Sequence, residues 1–297
     1  MEPRLLFIGS ACADVVLRVP RIPTTGGDEH ISRQEIHLGG CACNAFRAAR
    51  HTGAARCELA APVGTGLWGD WVREALRLRG IVPLLPPEED ENGCCYCLVE
   101  DGGERTFMSD HGAEYRLRRD RLEALEPERY DGVYVCGLEL EEPTGIELLE
   151  AMEARPPRRL WFGPGPRIGR IPPERMARLL ALRPVLHLNR DEALRFTGQA
   201  TVEDAAALLH DVTREDVIVT LGAEGAYGLG AAWRGTVPGE RVRVEDTIGA
   251  GDSHVGALMA YTAAGDPLRE ALRKANRISA MVVSGCGVDG WPTDAVR

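Results

Sequence analysis

The sequence has no excess of basic residues that could match the charge of a nucleic acid. Its 35 lysines and arginines are outnumbered by 45 aspartates and glutamates, which gives a formal net charge of −10. Because the phosphate backbone is bound mainly by clustered positive charge, a nucleic-acid partner is not expected.

Long apolar runs are also missing. No run approaches the roughly 20 residues needed to cross a bilayer, and Met1–Leu5 does not form a basic region followed by a long apolar one. The nine cysteines are an odd number without a secretory context, which is typical of reduced thiols rather than of a disulfide framework. We therefore expect a cytoplasmic protein with no membrane contact.

Two cysteine clusters, Cys41–Cys43 and Cys94–Cys97, raise the question of a metal site. Cys94 and Cys97 have the spacing of one half of a zinc site, which is usually completed by a second such pair. They lie in a strand-like run, however, in which alternation would direct Cys95 and Cys97 to one face and Cys94 to the other. Small buried thiols in a core are therefore favoured over a metal site.

The 297 residues do contain a regular alternation of apolar strands and helices. This alternation is typical of an α/β fold with a mostly parallel central sheet covered by helices on both faces. No linker or internal repeat divides it, so a single domain over residues 1–297 is expected. The predicted strands are 5–9, 59–63, 132–136, 159–162, 185–188, 217–221 and 226–229, and the predicted helices are 41–53, 144–154, 173–182, 191–197 and 255–261.

Three further strands do not fit this alternation. Residues 31–38 lack a clear buried face, and residues 94–100 and 104–109 flank Asp101-Gly102-Gly103, a turn signal typical of a hairpin. We expect these strands to form a small sheet that covers a cleft. This lid would come from segments of about 14–38 and 93–111.

The segment Asp246–Ser253 carries the strongest chemical signal. Its Gly249-Ala250-Gly251 turn runs into a predicted helix, where free backbone N–H groups and the helix dipole favour an anion. Asp252 would lie in the first helical turn, where a carboxylate opposes an anion unless it has a chemical task. That task would be to accept a proton from a hydroxyl that attacks a bound phosphate. The alternative is an ordinary capped helix start, and the octapeptide alone does not decide between them.

A second glycine-bearing helix entrance lies earlier in the chain. Gly39 and Gly40 would let a ligand approach the backbone closely, and Asn44, one turn later, would suit a polyhydroxylated ligand. Asp14 follows the turn after the first strand, the end of an open sheet at which ligands bind. The alternatives are tight helix packing and an ordinary turn aspartate.

A literal G-x-G-x-x-G motif, Gly64–Gly69, lies between a strand and a helix. Another strand–helix unit precedes it. The acidic residue expected about 20 positions later would fall in Glu88–Asp90, a proline- and acid-rich loop rather than a strand end. Binding of a nicotinamide or flavin cofactor is therefore disfavoured.

Taken in order, these motifs resemble the ribokinase-like (PfkB) family of carbohydrate and nucleoside kinases. Each motif alone is weak, but the ordered set is highly specific, and a glycine-containing turn of this family also accounts for Gly64–Gly69. The resemblance extends from Gly9 to Thr293. It rests on Gly39-Gly40 with Asn44-Ala45, Asn189-Arg190-Asp191-Glu192, Thr220–Gly225 and Asp246–Asp252.

The resemblance implies a ribokinase-like α/β fold with a small β-lid, and transfer of the γ-phosphoryl group of ATP to a primary alcohol. It also implies Mg²⁺, K⁺ as a candidate monovalent cation, and a small sugar or nucleoside as the acceptor. Asp252 matches the family's catalytic base, and Gly249, Ala250 and Gly251 match its anion hole. The dipole of the helix should favour ionised Asp252 and so make it a weak base.

Further site residues follow from the same resemblance. Arg105, on the hairpin, would either close over the acceptor or be a solvated lid residue. The acceptor would contact Asp14, Gly39, Gly40, Asn44 and Glu139. The nucleotide would contact Asn189, Thr220, Gly222 and Gly225. Glu192 would act on Mg²⁺ through water, and Asp246 and Ile248 would supply oxygens to the monovalent cation.

The chain departs from the family pattern in several places. Cys41 stands where ribokinases have a lysine, which removes a polar donor near the acceptor and argues against free ribose. His254 replaces a bulky aromatic residue and would either pack or, when protonated, reach a phosphate, with packing favoured. The remaining cation ligands cannot be placed in Val282–Gly287, and the C-terminal helix is expected to be short.

Three functions are compatible with the sequence. A sugar kinase is favoured over a nucleoside kinase, since only 5 % of residues are aromatic and a base would need a stacking platform. A binding or regulatory homologue without chemistry is disfavoured because Asp252, the glycine turn, Asn189 and Glu192 are intact.

The sequence also predicts a homodimer formed lid to lid. This prediction rests on the apolar lid residues Ile31, Ile36, Cys95 and Phe107.

Overall fold

A computed structural model describes residues 2–285, and its strands form two sheets. Within these residues the strands are β1 (Arg4–Ile8), β2 (Cys12–Val19), β3 (Arg33–Gly39), β4 (Arg56–Ala60), β5 (Cys94–Glu100), β6 (Arg105–Asp110), β7 (Gly132–Cys136), β8 (Leu160–Gly163), β9 (Val185–Asn189), β10 (Val217–Thr220), β11 (Ala226–Leu229) and β12 (Arg234–Val237). The α-helices are α1 (Cys41–Thr52), α2 (Gly66–Leu78), α3 (Arg119–Leu122), α4 (Gly137–Glu141), α5 (Gly145–Ala154), α6 (Pro173–Ala181), α7 (Arg190–Thr197), α8 (Val202–Thr213), α9 (Ala250–Ala263) and α10 (Leu268–Val283).

The larger sheet has the strand order β12-β11-β10-β9-β8-β7-β1-β4. The pairings from β4 through to β10 are parallel, and β11 and β12 add antiparallel strands at one edge. Alternate side chains of β1 lie on opposite faces of the sheet. Leu5 and Phe7 pack with residues of α1, α9 and α10, whereas Leu6 and Ile8 pack with residues of α5 and α8. The predicted mostly parallel sheet with helices on both faces is therefore confirmed.

The smaller sheet has the order β3-β2-β5-β6. Its central strands β2 and β5 are parallel, and each edge strand is antiparallel to its neighbour. These strands coincide within two residues with the two segments predicted to form a lid. The β6 edge exposes Phe107 and Met108 by 55 % and 54 %, whereas Cys94 and Cys97 of β5 are buried as small apolar side chains.

Several elements were not predicted from the sequence. Helix α8 begins at a local cap, in which the Thr201 hydroxyl accepts the Asp204 N–H at 3.1 Å, but its short apolar stripe gives a weak periodic signal. Helix α4 is too short for a periodic pattern, and α10 and β12 were also missed. The predicted strand at 59–63 begins earlier and ends at Ala60. The short C-terminal helix and the cation ligands expected beyond Gly285 lie outside the described residues.

Helices α1 and α9 approach each other backbone to backbone. A Cβ atom at Gly256 of α9 would collide with the carbonyl oxygen of Ala45 in α1, so only glycine allows this approach. The contact joins an early helix to a late one and brings their N-terminal turns together.

No helix within residues 2–285 is long and apolar enough to cross a membrane.

We expect Gly256→Ala to lower the free energy of unfolding by about 1–3 kcal/mol, because the added methyl group requires α1 and α9 to move apart. Gly251→Ala is the matched control on the same helix, since nothing lies within 4 Å of its added methyl group. Its stability should be unchanged or rise by up to about 1 kcal/mol. Denaturant unfolding measures both variants, and equal stabilities would contradict the close helix contact.

Candidate active site

Asp252 lies in the first turn of α9, directly after the predicted glycine turn. Gly249 is the N-cap of the helix, with the left-handed φ of 71° that glycine adopts without strain. The side-chain Nδ2 of Asn44, from α1, donates to Asp252 Oδ2 at 3.1 Å. The two glycine-bearing helix entrances identified in the sequence therefore meet at this hydrogen bond.

The pKa of Asp252 differs from the sequence expectation. Burial raises it from 3.8 to about 6, opposed by the hydrogen bonds from Asn44 and Cys41. The direction is opposite to the one expected from the helix dipole, which would favour the ionised form and a weak base. Asp252 therefore has a pKa suited to accepting a proton near neutral pH.

Asp14, Gly39 and Gly40 are in contact through the backbone of the α1 entrance. A Cβ atom at Gly39 would collide with the Asp14 carboxylate, and one at Gly40 would collide with the Ser10 carbonyl oxygen. Gly40 also has a φ of 96° as the N-cap of α1. Both glycines are therefore required for the buried Asp14 side chain and the β1–β2 turn to lie against this helix entrance.

Glu139 lies in α4 and joins the same group of residues. Its Oε1 accepts the Ser10 N–H at 2.7 Å, and burial raises its pKa to about 7. Asn44 Oδ1 is buried without a hydrogen-bond partner, and Ser10 Oγ and Glu139 Oε2 have none of good geometry, although the Ser10 and Cys136 side chains lie close enough to Glu139 to lower its pKa. We refer to Ser10, Asp14, Asn44 and Glu139 as the acceptor cluster.

Arg105 contacts the segment that precedes α9. Its guanidinium pairs with Asp246 Oδ1 at 3.0 Å and donates to the Thr247 hydroxyl. The same Asp246 oxygen accepts the Ile248 N–H at 2.8 Å, and Ile248 packs against the lid residues Val16, Cys97 and Val99. Since a guanidinium already pairs with Asp246 Oδ1, a monovalent cation at Asp246 and Ile248 would have to use their other oxygens.

Asn189 and Glu192 form a capping box at the start of α7, a role that sequence reasoning missed. Asn189 Oδ1 accepts the Glu192 N–H at 2.8 Å, and Glu192 Oε2 accepts the Asn189 N–H at 2.9 Å. Burial raises the Glu192 pKa, and the Asp252 charge raises it further.

Within residues 2–285 no group of three or more His, Cys, Asp or Glu side chains could hold a metal. One carboxylate still fits Mg²⁺, which keeps several waters and binds phosphate oxygens.

A cavity of about 400 Å³ adjoins the start of α9. Thr220, Gly222 and Gly225, predicted to contact a nucleotide, line it together with Ala250 and Gly251 of the glycine turn. Sequence reasoning missed the other walls. They come from Gly239, Glu240, Arg241, Val242 and Val244 of the loop after β12, and from Asn276, Ser279, Ala280 and Val283 of α10.

His254 is buried beside this cavity, with 2 % of its surface exposed. Its Nδ1 lies 2.9 Å from His187 Nε2, and its Nε2 lies 3.0 Å from Asn276 Oδ1. Burial lowers its pKa to about 4. Since both ring nitrogens are engaged inside the protein and the ring is neutral, the structure supports packing rather than phosphate contact.

The sequence matches the family model described as pfkB family carbohydrate kinase over residues 2–294. It is 35 % identical over 293 residues to the "uncharacterized sugar kinase YegV" of Escherichia coli K12, covering 97 % of this chain and 91 % of that protein. The ribokinase of Thermotoga maritima has a similar structure, with a TM-score of 0.83 at 22 % identity over 97 % of this chain and 95 % of that one. Arabidopsis thaliana ribokinase complexed with ribose and ATP gives a TM-score of 0.79 at 22 % identity, covering 98 % and 96 % of the two chains.

The layered sheet, with helices on both faces, has the ribokinase-like fold. The family match covers nearly the whole chain, and the chain therefore belongs to the pfkB family of carbohydrate kinases. It is a phosphotransferase that uses an alcohol group as acceptor, as the ordered motifs predicted.

The raised Asp252 pKa predicts a pH-dependent gain in stability for Asp252→Asn. A carboxylate whose pKa is raised on folding destabilises the protein fully above the folded value of about 6 and not at all below the unfolded value near 3.8. We expect the variant to gain roughly 1–3 kcal/mol at pH 8, at about 1.4 kcal/mol per pKa unit. Most of this gain should disappear between pH 6 and pH 4. Denaturant unfolding at these pH values would contradict the burial effect if the gain did not change.

Proposed function

We propose that this kinase transfers the γ-phosphoryl group of ATP to a primary alcohol of a sugar, with Asp252 as the general base. The acceptor cluster and the 400 Å³ cavity lie on either side of the first turn of α9. Phosphoryl transfer depends mainly on holding two substrates in line and stabilising charge between them. A helix start with a proton acceptor between two such sites supports this reaction.

The observation that carries the proposal is the set of buried polar atoms without well-formed hydrogen bonds in the acceptor cluster. Buried polar atoms normally form hydrogen bonds. Asn44 Oδ1 forms none, and Ser10 Oγ and Glu139 Oε2 form none of good geometry, although the Ser10 side chain lies close enough to Glu139 to lower its pKa. A ligand with several hydroxyl groups would satisfy all of them. Asp14, Gly39 and Gly40 complete the proposed contacts, since the two glycines leave the backbone open to close approach.

In the proposed reaction the acceptor hydroxyl attacks the γ-phosphorus. The new oxygen–phosphorus bond forms as the bond to the β–γ bridging oxygen breaks, ADP leaves, and the hydroxyl proton passes to Asp252. Asn44 orients the carboxylate through its 3.1 Å hydrogen bond. Gly249, Ala250 and Gly251 would hold the transferred phosphoryl at the positive end of the α9 dipole.

The nucleotide would occupy the cavity lined by Thr220, Gly222 and Gly225. Asn189 and Glu192 would lie towards the phosphates, with Glu192 reaching Mg²⁺ through water. When bound, Mg²⁺ would neutralise charge on the phosphate oxygens. A monovalent cation, K⁺ as the candidate, would take oxygens of Asp246 and Ile248 other than Asp246 Oδ1, which pairs with Arg105. No step is assigned to it.

The acceptor is proposed to be a sugar, and a nucleoside is the alternative. The sugar kinase YegV is a relative at 35 % identity, and Cys41 beside Asp252 provides no cationic donor. A panel of sugars and nucleosides with Mg·ATP, assayed by ADP release, separates these classes. Tight sugar binding without turnover on any compound would instead favour a binding protein.

The cytoplasmic location expected from the sequence stays a prediction.

For Asp252→Asn we expect turnover to fall by roughly 10²–10⁴-fold, the usual contribution of a general base, with little change in ATP affinity. The matched control is Asp211→Asn, an acid-to-amide change on α8 at an exposed ion pair with Arg214, which should keep full turnover. Steady-state kinetics with the best acceptor measures both. Near-full activity of Asp252→Asn would show that Asp252 is not the base.

We also propose the lid-to-lid homodimer predicted from the sequence. The edge strand β6 exposes Phe107, and Ile31 beside β3 is 42 % exposed. Light scattering should give a dimer mass for the natural chain and a monomer mass for Phe107→Glu, since a buried charge opposes the interface. Leu78→Glu, at an exposed position on α2, should stay dimeric. A monomeric natural chain would contradict the proposal.

A further inference from the structure

One wall of the 400 Å³ cavity is a loop without regular structure. Residues 238–249, which we call the wall loop, belong to no helix or strand, and Gly239, Arg241, Val242 and Val244 are among those that line the cavity. Because the loop has no ladder hydrogen bonds of its own, its position depends on its contacts with neighbouring elements.

The wall loop is attached to α10 at both ends. At its far end, the N–H groups of Glu245 and Asp246 donate to the Val283 carbonyl at 2.7 and 3.2 Å. At its near end, Asn276 Nδ2 donates to the carbonyls of Val237 and Pro238, both at 3.1 Å. The near end is also held by the Gly239 N–H, which donates to the Glu224 carbonyl at 3.2 Å, and by the ion pair of Glu240 with Arg277 at 3.1 Å. Of these contacts, the two from Asn276 are the buried ones that act where the loop leaves β12.

His254 determines how the Asn276 amide is oriented. Asn276 Oδ1 lies 3.0 Å from His254 Nε2, so this nitrogen carries the proton that the oxygen accepts. Flipping the amide would turn Oδ1 towards two carbonyl oxygens and Nδ2 towards an N–H group. Three hydrogen bonds would be lost together, and the flipped state is excluded on that ground.

His187, on β9, determines the tautomer of His254. Its Nε2 lies 2.9 Å from His254 Nδ1, which is the acceptor when His254 Nε2 is protonated, so His187 donates. The exposed fractions of His187, His254 and Asn276 are 7 %, 2 % and 6 %, and burial lowers the pKa of both histidines. Both rings are therefore neutral, and the Asn276 contacts place the proton of His254 on Nε2.

We propose that the hydrogen-bonded chain His187–His254–Asn276 holds the wall loop in place and thereby sets the affinity of the cavity for its nucleotide. This inference rests on the proposed function, which assigns an adenine nucleotide to the cavity. In this proposal the three side chains are positioning residues that act through the Val237 and Pro238 carbonyls. His254 and Asn276 also line the cavity, whereas His187 does not. The chain joins β9, α9, α10 and the end of β12, of which α9 and α10 line the cavity.

The test is the dissociation constant for Mg·ADP, measured by calorimetry on the full chain, which requires neither an acceptor nor turnover. We expect Asn276→Leu and His254→Phe each to weaken binding about tenfold, the factor that corresponds to losing one partner of a buried hydrogen bond. Asn276→Asp keeps the shape and the oxygen that faces His254. It should weaken binding at least as much, because a carboxylate oxygen would then face two carbonyls.

Two controls separate positioning from a general loss of stability. Leu272→Ala removes a fully buried side chain of α10 outside the hydrogen-bonded chain, so it should lower stability but leave the dissociation constant unchanged. The double variant His254→Phe/Asn276→Leu should lose less affinity than the product of the two single losses, as expected for residues that act as one unit.

Nitrogen-15 spectra above pH 6 should show a protonated Nε2 and a bare Nδ1 on both histidines.

The outcomes distinguish the two proposals. Unchanged Mg·ADP binding in Asn276→Leu, or an equal loss in Leu272→Ala, overturns the positioning role and leaves the proposed function intact. A protonated Nδ1 on His254 also overturns it, because Asn276 would then lose its fixed orientation. A natural chain that binds no Mg·ADP overturns the proposed function together with this inference.

Discussion

The candidate active site depends on the backbone contact between α1 and α9. Gly256 lies against the Ala45 carbonyl, so the two helices approach more closely than any side chain would allow, and Asn44 reaches Asp252. Helix α1 begins at the glycine pair beside the acceptor cluster, and α9 begins at the turn that lines the 400 Å³ cavity. One helix contact thus fixes the spacing between this cluster and the cavity.

Much of the fold could be predicted from the sequence because its signals are local. The strand β7 was predicted with its exact bounds, since a run buried on both faces is apolar throughout. The β5–β6 hairpin was found from its glycine turn. Helix α8 and the edge strand β12 were missed because a short apolar stripe and a small edge strand give weak patterns, and tertiary packing decides them. Helix α10 was missed although its buried Leu272, Ala275 and Ile278 recur at helical spacing.

The candidate site could be predicted only where one short segment carries its chemistry. The glycine turn before Asp252 and the Gly39-Gly40 pair are of this kind. The Asp252 pKa was misjudged, because the dipole can be read from one helix whereas burial is produced by elements far apart in the chain. The pairing of Arg105 with Asp246 and the chain from His187 to Asn276 have no sequence signal, since each joins residues widely separated in the sequence.

The ion pair between Arg105 and Asp246 joins the small sheet to the segment that leads into α9. Any movement that lifts this sheet from the cleft has to break the pair and rehydrate both charges. The time for which a product is retained would then depend on an electrostatic contact outside the acceptor cluster. Dissolved salt screens such contacts, so ionic strength would act on the opening of the cleft more strongly than on the chemical step.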